Sequence, residues 1–279
     1  MIVYRELSTL AGDLGVSGRT LYAVSNSLPK HYRTVELPKG DGAVRRLSIP
    51  DRELMEIQRR ILNRLLVYMP VSPYAAAYRR GVDHAAGARP HIGRPVLLRL
   101  DIRHFFDSIL YSDVKEYAFP AHIYAEPLRV LLSILCYCGD ALPQGAPTSP
   151  VVSNLVLRDF DLETGAWCSA RGISYTRYCD DMAFSGAFDP VEVSRLIAGK
   201  LRERGFFLNE EKTRAMFAGQ RQTVTGLVVN ERLNLPREYR RALRQELYFC
   251  RRFGVSAHLA RTGAAPEPEA CLRSLLGRI

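Results

Sequence analysis

The chain lacks a hydrophobic stretch long enough to cross a bilayer. No apolar run approaches the roughly 20 residues a spanning helix needs, and residues 128–138, the longest candidate, are interrupted by Arg129 and Ser133. The opening Met1-Ile2-Val3-Tyr4-Arg5-Glu6 lacks the basic-then-apolar order of a secretory leader. Six cysteines, at 136, 138, 168, 179, 250 and 271, form no CxxC pair. That spacing argues against a zinc or thioredoxin-like site and leaves Cys136 and Cys138 as expected core thiols. His84, His91 and His104 likewise show no zinc spacing, and structural roles are expected for them. A reducing, cytoplasmic location with no membrane contact fits these absences. Acid is also in short supply: 29 Asp and Glu against 39 Lys and Arg give a net charge of +10. Such an excess favours a polyanionic partner, nucleic acid first and an anionic membrane surface second. At 279 residues, 47% hydrophobic and 24% charged, the chain is globular and can bury the core of one large or two modest domains.

What is present begins with a helical lead-in over residues 1–34, where Leu7, Leu10, Leu14, Leu21, Val24 and Leu28 recur at helical spacing. Residues 35–49 alternate around Gly40-Asp41-Gly42, which reads as a β-hairpin carrying Lys39, Arg45 and Arg46. Asp51 is placed to cap a helix with the stripe Leu54, Ile57, Ile61, Leu65 and Tyr68. Arg52, Arg59, Arg60 and Arg64 lie off that stripe and suit contact with nucleic-acid phosphates. Residues 96–100 form a short apolar strand ending in Asp101. Leu142-Pro143-Gln144-Gly145-Ala146-Pro147-Thr148-Ser149-Pro150 is a stiff turn, with Ser149 as N-cap and Pro150 as N1 of a helix running toward Gly172. Asp189 opens another helix that Gly205 closes, and residues 206–217 return as extended chain.

Between those helices lies Tyr175-Thr176-Arg177-Tyr178-Cys179-Asp180-Asp181-Met182, two β-prone arms around an Asp-Asp turn. Adjacent carboxylates repel unless a cation sits between them, and Mg²⁺ is commonly held by one or two carboxylates with substrate phosphates. The plain alternative is a solvated turn, since Asp is a common turn residue. Strand, helix, hairpin, helix, strand is the split βαββαβ pattern, which brings the end of the first strand beside the hairpin tip. Asp101 is therefore expected to meet Asp180 and Asp181. Three carboxylates in that arrangement can hold two divalent ions about 4 Å apart and support in-line phosphoryl transfer. Arg45, with Arg46 and Lys39 nearby, is placed to clamp a triphosphate.

These residues resemble a known family. Asp101 with Phe106, the PQGAPTSP run with Asn154, and Tyr178-Cys179-Asp180-Asp181 resemble motifs A, B and C of reverse transcriptases. Arg45-Arg46-Leu47-Ser48-Ile49-Pro50, followed by Leu54 and Gln58-Arg59, resembles the fingers motif, and residues 205–213 resemble motif D. Gly87-Ala88-Arg89-Pro90-His91 and Val224-Thr225-Gly226 resemble the NAxxH and VTG elements of retron enzymes. Gly87 stands where that pattern has Asn, and Cys179 where the YADD box has Ala. The likeness covers roughly residues 30–235.

The resemblance implies an α+β right-hand polymerase: fingers over 35–95, a ferredoxin-like βαββαβ palm over 96–235 with finger-like insertions, and a short helical thumb over 236–279. It implies catalysis by Asp101, Asp180, Asp181 and Lys212, the last as general acid near the pyrophosphate. It also implies two Mg²⁺ ions at Asp101, Ile102, Asp180 and Asp181, and a dNTP site of Arg45, Arg46, Phe106, Gln144 and Gly145, with Phe106 excluding a 2′-OH. Nucleic acid would meet Arg59, Arg60, His91, Asn154, Val224, Thr225, Gly226, Arg240 and Arg244. A retron-type enzyme would copy a structured noncoding RNA into RNA-linked single-stranded DNA, in antiphage defence beside an effector protein. The thumb is expected to be shorter than in relatives, with no room for an RNase H domain. The alternatives are an abortive-infection or group II intron-like enzyme, or a polymerase-shaped RNA scaffold that holds an effector.

Overall fold

The computed structural model describes residues 3–38, 44–79, 81–83, 85–262 and 267–278. Lys39, the Gly40-Asp41-Gly42 turn and His84 lie outside them. The lead-in forms α1 (Leu7–Leu14) and α2 (Gly18–Asn26), separated by a left-handed Gly15 and by Ser17, whose hydroxyl accepts from the Thr20 N–H. Strands β1 (Tyr32–Pro38) and β2 (Val44–Pro50) pair antiparallel, as the alternation predicts. Asp51 caps α3 (Arg52–Arg64) by accepting from Leu54 N–H, an interaction worth about 1 kcal/mol. Leu54, Ile57, Ile61 and Leu65 are buried, but Tyr68 is 74% exposed. The helix stops at Arg64, and a 3₁₀ turn over Leu66–Tyr68 breaks the helical phase and swings that ring into solvent.

Strands β3 (Val96–Asp101), β4 (Ser174–Tyr178), β5 (Asp181–Gly186) and β6 (Arg214–Phe217) form one antiparallel sheet in the order β4-β5-β3-β6. Helices α4 (Tyr111–Asp113), α5 (Glu126–Cys136), α6 (Ser149–Val156) and α7 (Arg158–Ser169) connect β3 to β4, and α8 (Pro190–Arg202) connects β5 to β6. This is the expected βαββαβ order. Leu98, Leu100, Met182 and Phe184 lie on the sheet face that joins the main core. Strand alternation gives the opposite face Leu97, Arg99 and Asp101 from β3, and Asp181, Ala183 and Ser185 from β5.

That second face is covered at one end only. Short strands β7 (Thr223–Val224) and β8 (Leu227–Val228) form a hairpin there, with Thr225 and Gly226 at positive φ. The turn between the two short strands is Thr225-Gly226 alone. Val224 and Val229 pack with Ala88, Leu97 and Ala183 in a second small core.

Three other elements depart from the sequence reading. Thr148 holds the cap position of α6, and Ser149 is its first helical residue, its hydroxyl turned back to donate to the Pro143 carbonyl. The helix expected toward Gly172 breaks at Leu157 into α6 and α7. The extended return over 206–217 contains a 3₁₀ turn at Glu210–Lys212, which leaves β6 only four residues. At the C-terminal end, α9 (Arg237–Phe253), α10 (Val255–Thr262) and α11 (Pro268–Leu276) enclose Leu259, Cys271 and Leu275, against which Leu243, Leu247 and Cys250 pack. Tyr239, on the same helix, is 39% exposed.

Candidate active site

The site is built where β3 ends against the β4–β5 turn. Asp101 stands directly opposite Asp181 in the β3–β5 register, and Tyr178 opposite Asp181 in the β4–β5 register. The turn therefore has only Cys179 and Asp180 between its paired ends. Cys179 adopts φ 60°, the left-handed conformation that so tight a hairpin demands and that is costly for a residue with a Cβ. The Ile102 N–H donates to the Asp180 carbonyl at 3.0 Å, stitching the end of β3 to the turn. The expected meeting of Asp101 with the Asp-Asp pair is what the sheet provides.

Each end of this carboxylate group holds a side-chain cation. Lys212 Nζ donates to both oxygens of Asp101, at 3.1 and 2.9 Å, from the Glu210–Lys212 turn. Arg99, two residues before Asp101 on the same strand face, pairs with Asp181. Burial, reinforced by the neighbouring Asp101, pushes the Asp180 carboxyl above its ordinary range. Burial does the same to Asp181, against the opposing pull of Arg99. The hydrogen bonds to Asp101 raise the Lys212 ammonium, so it stays protonated.

Among the described residues no three His, Cys, Asp or Glu side chains are arranged as a ready-made metal cage. The physical reason is that Asp101 is turned onto Lys212 and Asp181 onto Arg99. The donors nevertheless fit a hard divalent cation, being carboxylate oxygens with neither sulfur nor imidazole. The Ile102 side chain is 1% exposed and apolar, so only its backbone can serve such an ion.

The loops expected at a nucleotide site converge through their main chains. Leu142 N–H donates to the Phe106 carbonyl at 3.1 Å, and Ser48 N–H to the Gln144 carbonyl at 2.8 Å. Gly145 lies at φ 124°, and a Cβ there would meet the Ser48 carbonyl oxygen at 3.1 Å, so this close approach of β2 requires glycine. Phe106 is half-buried and packs edge-on against Phe105. Arg45 and Arg46 are exposed on β2, Arg46 in a surface ion pair with Glu36.

Three residues expected at nucleic acid, His91, Asn154 and Val224, are buried in the interior. His91 is fully buried, with Nδ1 2.7 Å from Ser185 Oγ and Nε2 2.8 Å from Thr176 Oγ1. Thr176 spends its hydroxyl proton on the Gly87 carbonyl, so it accepts from Nε2–H and Ser185 donates to Nδ1. Burial lowers the His91 pKa to about 4, with the nearby Arg94 acting in the same direction. Asn154 is equally buried and donates to the Ala77 carbonyl at 2.9 Å. Neither side chain can touch a nucleic acid in this structure. Val224 is buried as well, whereas Gly226 is exposed at its hairpin tip and Thr225 half-buried. Arg60 donates to the Leu14 and Gly15 carbonyls and to Glu56, tying the lead-in to α3, while Arg59 is exposed. Arg244 is exposed and Arg240 half-buried on α9.

The sequence reading passed over Arg99, Arg177 and Asp161. Each left a signal. Arg99 shares a strand face with Asp101, and Arg177 shares the inward phase of Tyr175 on β4, where an unpaired charge is not tolerated. Its counter-ion Asp161 sits on the buried side of α7 with Phe160, Thr164 and Cys168.

The fold and the carboxylate group define a class. Residues 37–237 match the family model described as reverse transcriptase (RNA-dependent DNA polymerase), and the chain belongs to that family. Within it the similarity is to retron enzymes. The chain is 38% identical over 285 residues to the retron Mx65 reverse transcriptase of Myxococcus xanthus, covering 92% of this chain and 66% of that protein. It is 27% identical over 264 residues to the retron Ec86 reverse transcriptase of Escherichia coli, covering 92% of this chain and 82% of that one. It thus spans just under two thirds of the Mx65 enzyme's length. Among solved structures, telomerase from Candida albicans in complex with a TWJ fragment of telomeric RNA aligns with TM-score 0.50 at 9% identity, over 84% of this chain and 53% of that one. That likeness shows the fold alone.

Proposed function

We propose that the chain is an RNA-directed DNA polymerase of the retron type, copying a structured noncoding RNA into RNA-linked single-stranded DNA. The observation that carries the reading is the register of β3 and β5, which sets Asp101 opposite Asp181 with Lys212 on the Asp101 carboxylate. In this reading residues 35–95 act as fingers, 96–235 as palm and 236–279 as a short thumb, whose Arg240 and Arg244 meet duplex phosphates. Asp101, Asp180 and Asp181, with the backbone of Ile102, would hold two Mg²⁺ ions, whose charge supports the attacking hydroxyl and the leaving pyrophosphate. Lys212, kept protonated against Asp101, is the proton donor to that pyrophosphate. Arg45 and Arg46 receive the triphosphate, Gln144 and Gly145 shape the base and sugar pocket, and Phe106 lies under the sugar where it excludes a 2′-OH. Arg59 and Gly226 are exposed positions suited to the RNA, with the half-buried Thr225 beside Gly226 at the hairpin tip. In this reading the enzyme acts in the cytoplasm, in antiphage defence beside an effector protein; the retron likeness supports that reading.

The test is to purify the protein from its host and sequence the nucleic acid that accompanies it, before and after ribonuclease. A discrete single-stranded DNA linked to RNA is expected. Structured RNA without attached DNA would contradict the retron reading and favour another class of reverse transcriptase, or the scaffold.

A further inference from the structure

The phase of β4 puts a charge where the alternation asks for an apolar side chain. Tyr175 and Arg177 face inward on that strand. Arg177 and Asp161 are both fully inaccessible to solvent. Arg177 Nε donates to Asp161 Oδ1 at 2.8 Å and Nη2 to Oδ2 at 2.6 Å, a two-point grip. The Tyr175 hydroxyl donates to the same Oδ1 at 2.7 Å. The remaining nitrogen, Nη1, donates to Asn154 Oδ1 at 3.2 Å and to the carbonyl oxygen of Cys179 at 2.9 Å.

A buried ion pair is a poor device for stability alone, because desolvating both charges offsets their attraction and an apolar pair of similar volume serves as well. The arrangement is better matched to the turn it supports. Cys179 is the residue at φ 60°, and its carbonyl is the one Arg177 holds. The next carbonyl, that of Asp180, is held from the opposite side by Ile102 N–H. Two consecutive peptide groups of a strained turn are thereby pinned, one from the core and one from the end of β3. The main chain of Arg177 is fixed as well: its N–H donates to the Tyr74 carbonyl at 2.8 Å, and its carbonyl accepts from Ala76 N–H at 2.7 Å.

We infer that Arg177, gripped by Asp161 and oriented by Asn154, is a positioning residue that fixes the Cys179 carbonyl and so aims Asp180 and Asp181 at Asp101. The inference rests on the polymerase reading of those acids. Arg177 touches no reacting atom and acts only through the turn. Asn154 has its task here, as the link between Arg177 and Ala77, and not at the nucleic acid. Positional errors on the order of 1 Å at a reacting centre cost about 100-fold in rate, which sets the scale of the effect.

The test pairs Arg177→Met with Asp161→Leu, which removes both charges and keeps the space filled. The folded double variant is expected to lose about 30-fold in kcat on an RNA template, with KM for dNTP and RNA affinity changed less than about twofold. With Mn²⁺ alone as probe, followed by electron paramagnetic resonance without nucleic acid, binding is expected to weaken about tenfold. A merely structural role would lower thermal stability and leave those readouts at wild-type values. Should the double variant fail to fold, Arg177→Lys keeps a charge beside Asp161 but gathers its donors on one compact ammonium, without the planar fork whose separate nitrogens reach both carboxylate oxygens and the Cys179 carbonyl; an intermediate loss of kcat is expected. Wild-type kcat and Mn²⁺ affinity in either folded variant overturns the proposal, and so does failure of both variants to fold, which would assign the cluster to the fold. Failure of the polymerase reading looks different: the wild-type protein itself incorporates no dNTP, while the Mn²⁺ titration still decides whether Arg177 aims the acids.

Discussion

Two arginines hold the same carboxylate turn from opposite sides, and their surroundings give them opposite characters. Arg99 reaches Asp181 across the open face of the sheet, with its side chain 32% exposed. Arg177 grips the turn from beneath, with no exposure and contacts to Asp161, Asn154 and Cys179. The first, in a pair about a third and a quarter exposed, is partly screened by solvent and so weakly held. The second cannot leave without abandoning a buried carboxylate. The difference is one of burial: a partly exposed pair can be replaced by solvent, a fully buried one cannot.

The largest effect that tests this contrast is on stability. Arg177→Ala strands Asp161 in the core and is expected to cost about 3–5 kcal/mol, or to prevent folding, by denaturant titration. If burial is what makes a polar grip permanent, His91 at the far end of the same sheet face should behave in kind. Its pKa in the fold, about 4, lies below the unfolded value of 6.5, so the unfolded chain takes up the extra proton between those pH values. Stability is therefore present above pH 6.5 and is lost as pH falls toward 4, by about 3 kcal/mol from this group. His91→Gln should flatten that slope when urea midpoints are compared at several pH values. Gly87 is a smaller case: a Cβ there would meet the Ala76 Cβ at 2.9 Å, a contact that favours glycine at this position. Gly87→Asn is expected to cost roughly 1–3 kcal/mol unless Ala76 is shortened to Gly in the same chain. Least of all, Arg99→Ala should change stability by less than about 1 kcal/mol, while Mn²⁺ binds more tightly because a competing cation is gone. A loss for Arg99 as large as for Arg177 would erase the distinction.

Much of this was legible in the sequence. The Asp-Asp hairpin, the strand ending in Asp101 and the order of helices between them carried the topology, and topology alone forced the three acids together. Lengths and ends were less legible. Tyr68 fits its helical stripe but sits in solvent, because a 3₁₀ turn overrode the periodicity. The roles given to His91 and Asn154 failed for a different reason. A polar residue within a motif reads as a ligand contact, yet both satisfy buried partners whose identity only the packing of distant segments reveals. Arg177 is the counter-example that could have been read, since a charge at an inward strand position demands a buried counter-ion and Asp161 was there to supply it.

The most direct measurement is Mg²⁺-dependent dNTP incorporation by Asp181→Asn, taken on the same preparation as its affinity for RNA. Incorporation is expected to fall by about 1,000-fold or more, with RNA affinity within about twofold of wild type. Retained incorporation, or a parallel collapse of RNA affinity, would mean that Asp101, Asp180 and Asp181 support the fold and do not form the polymerase centre.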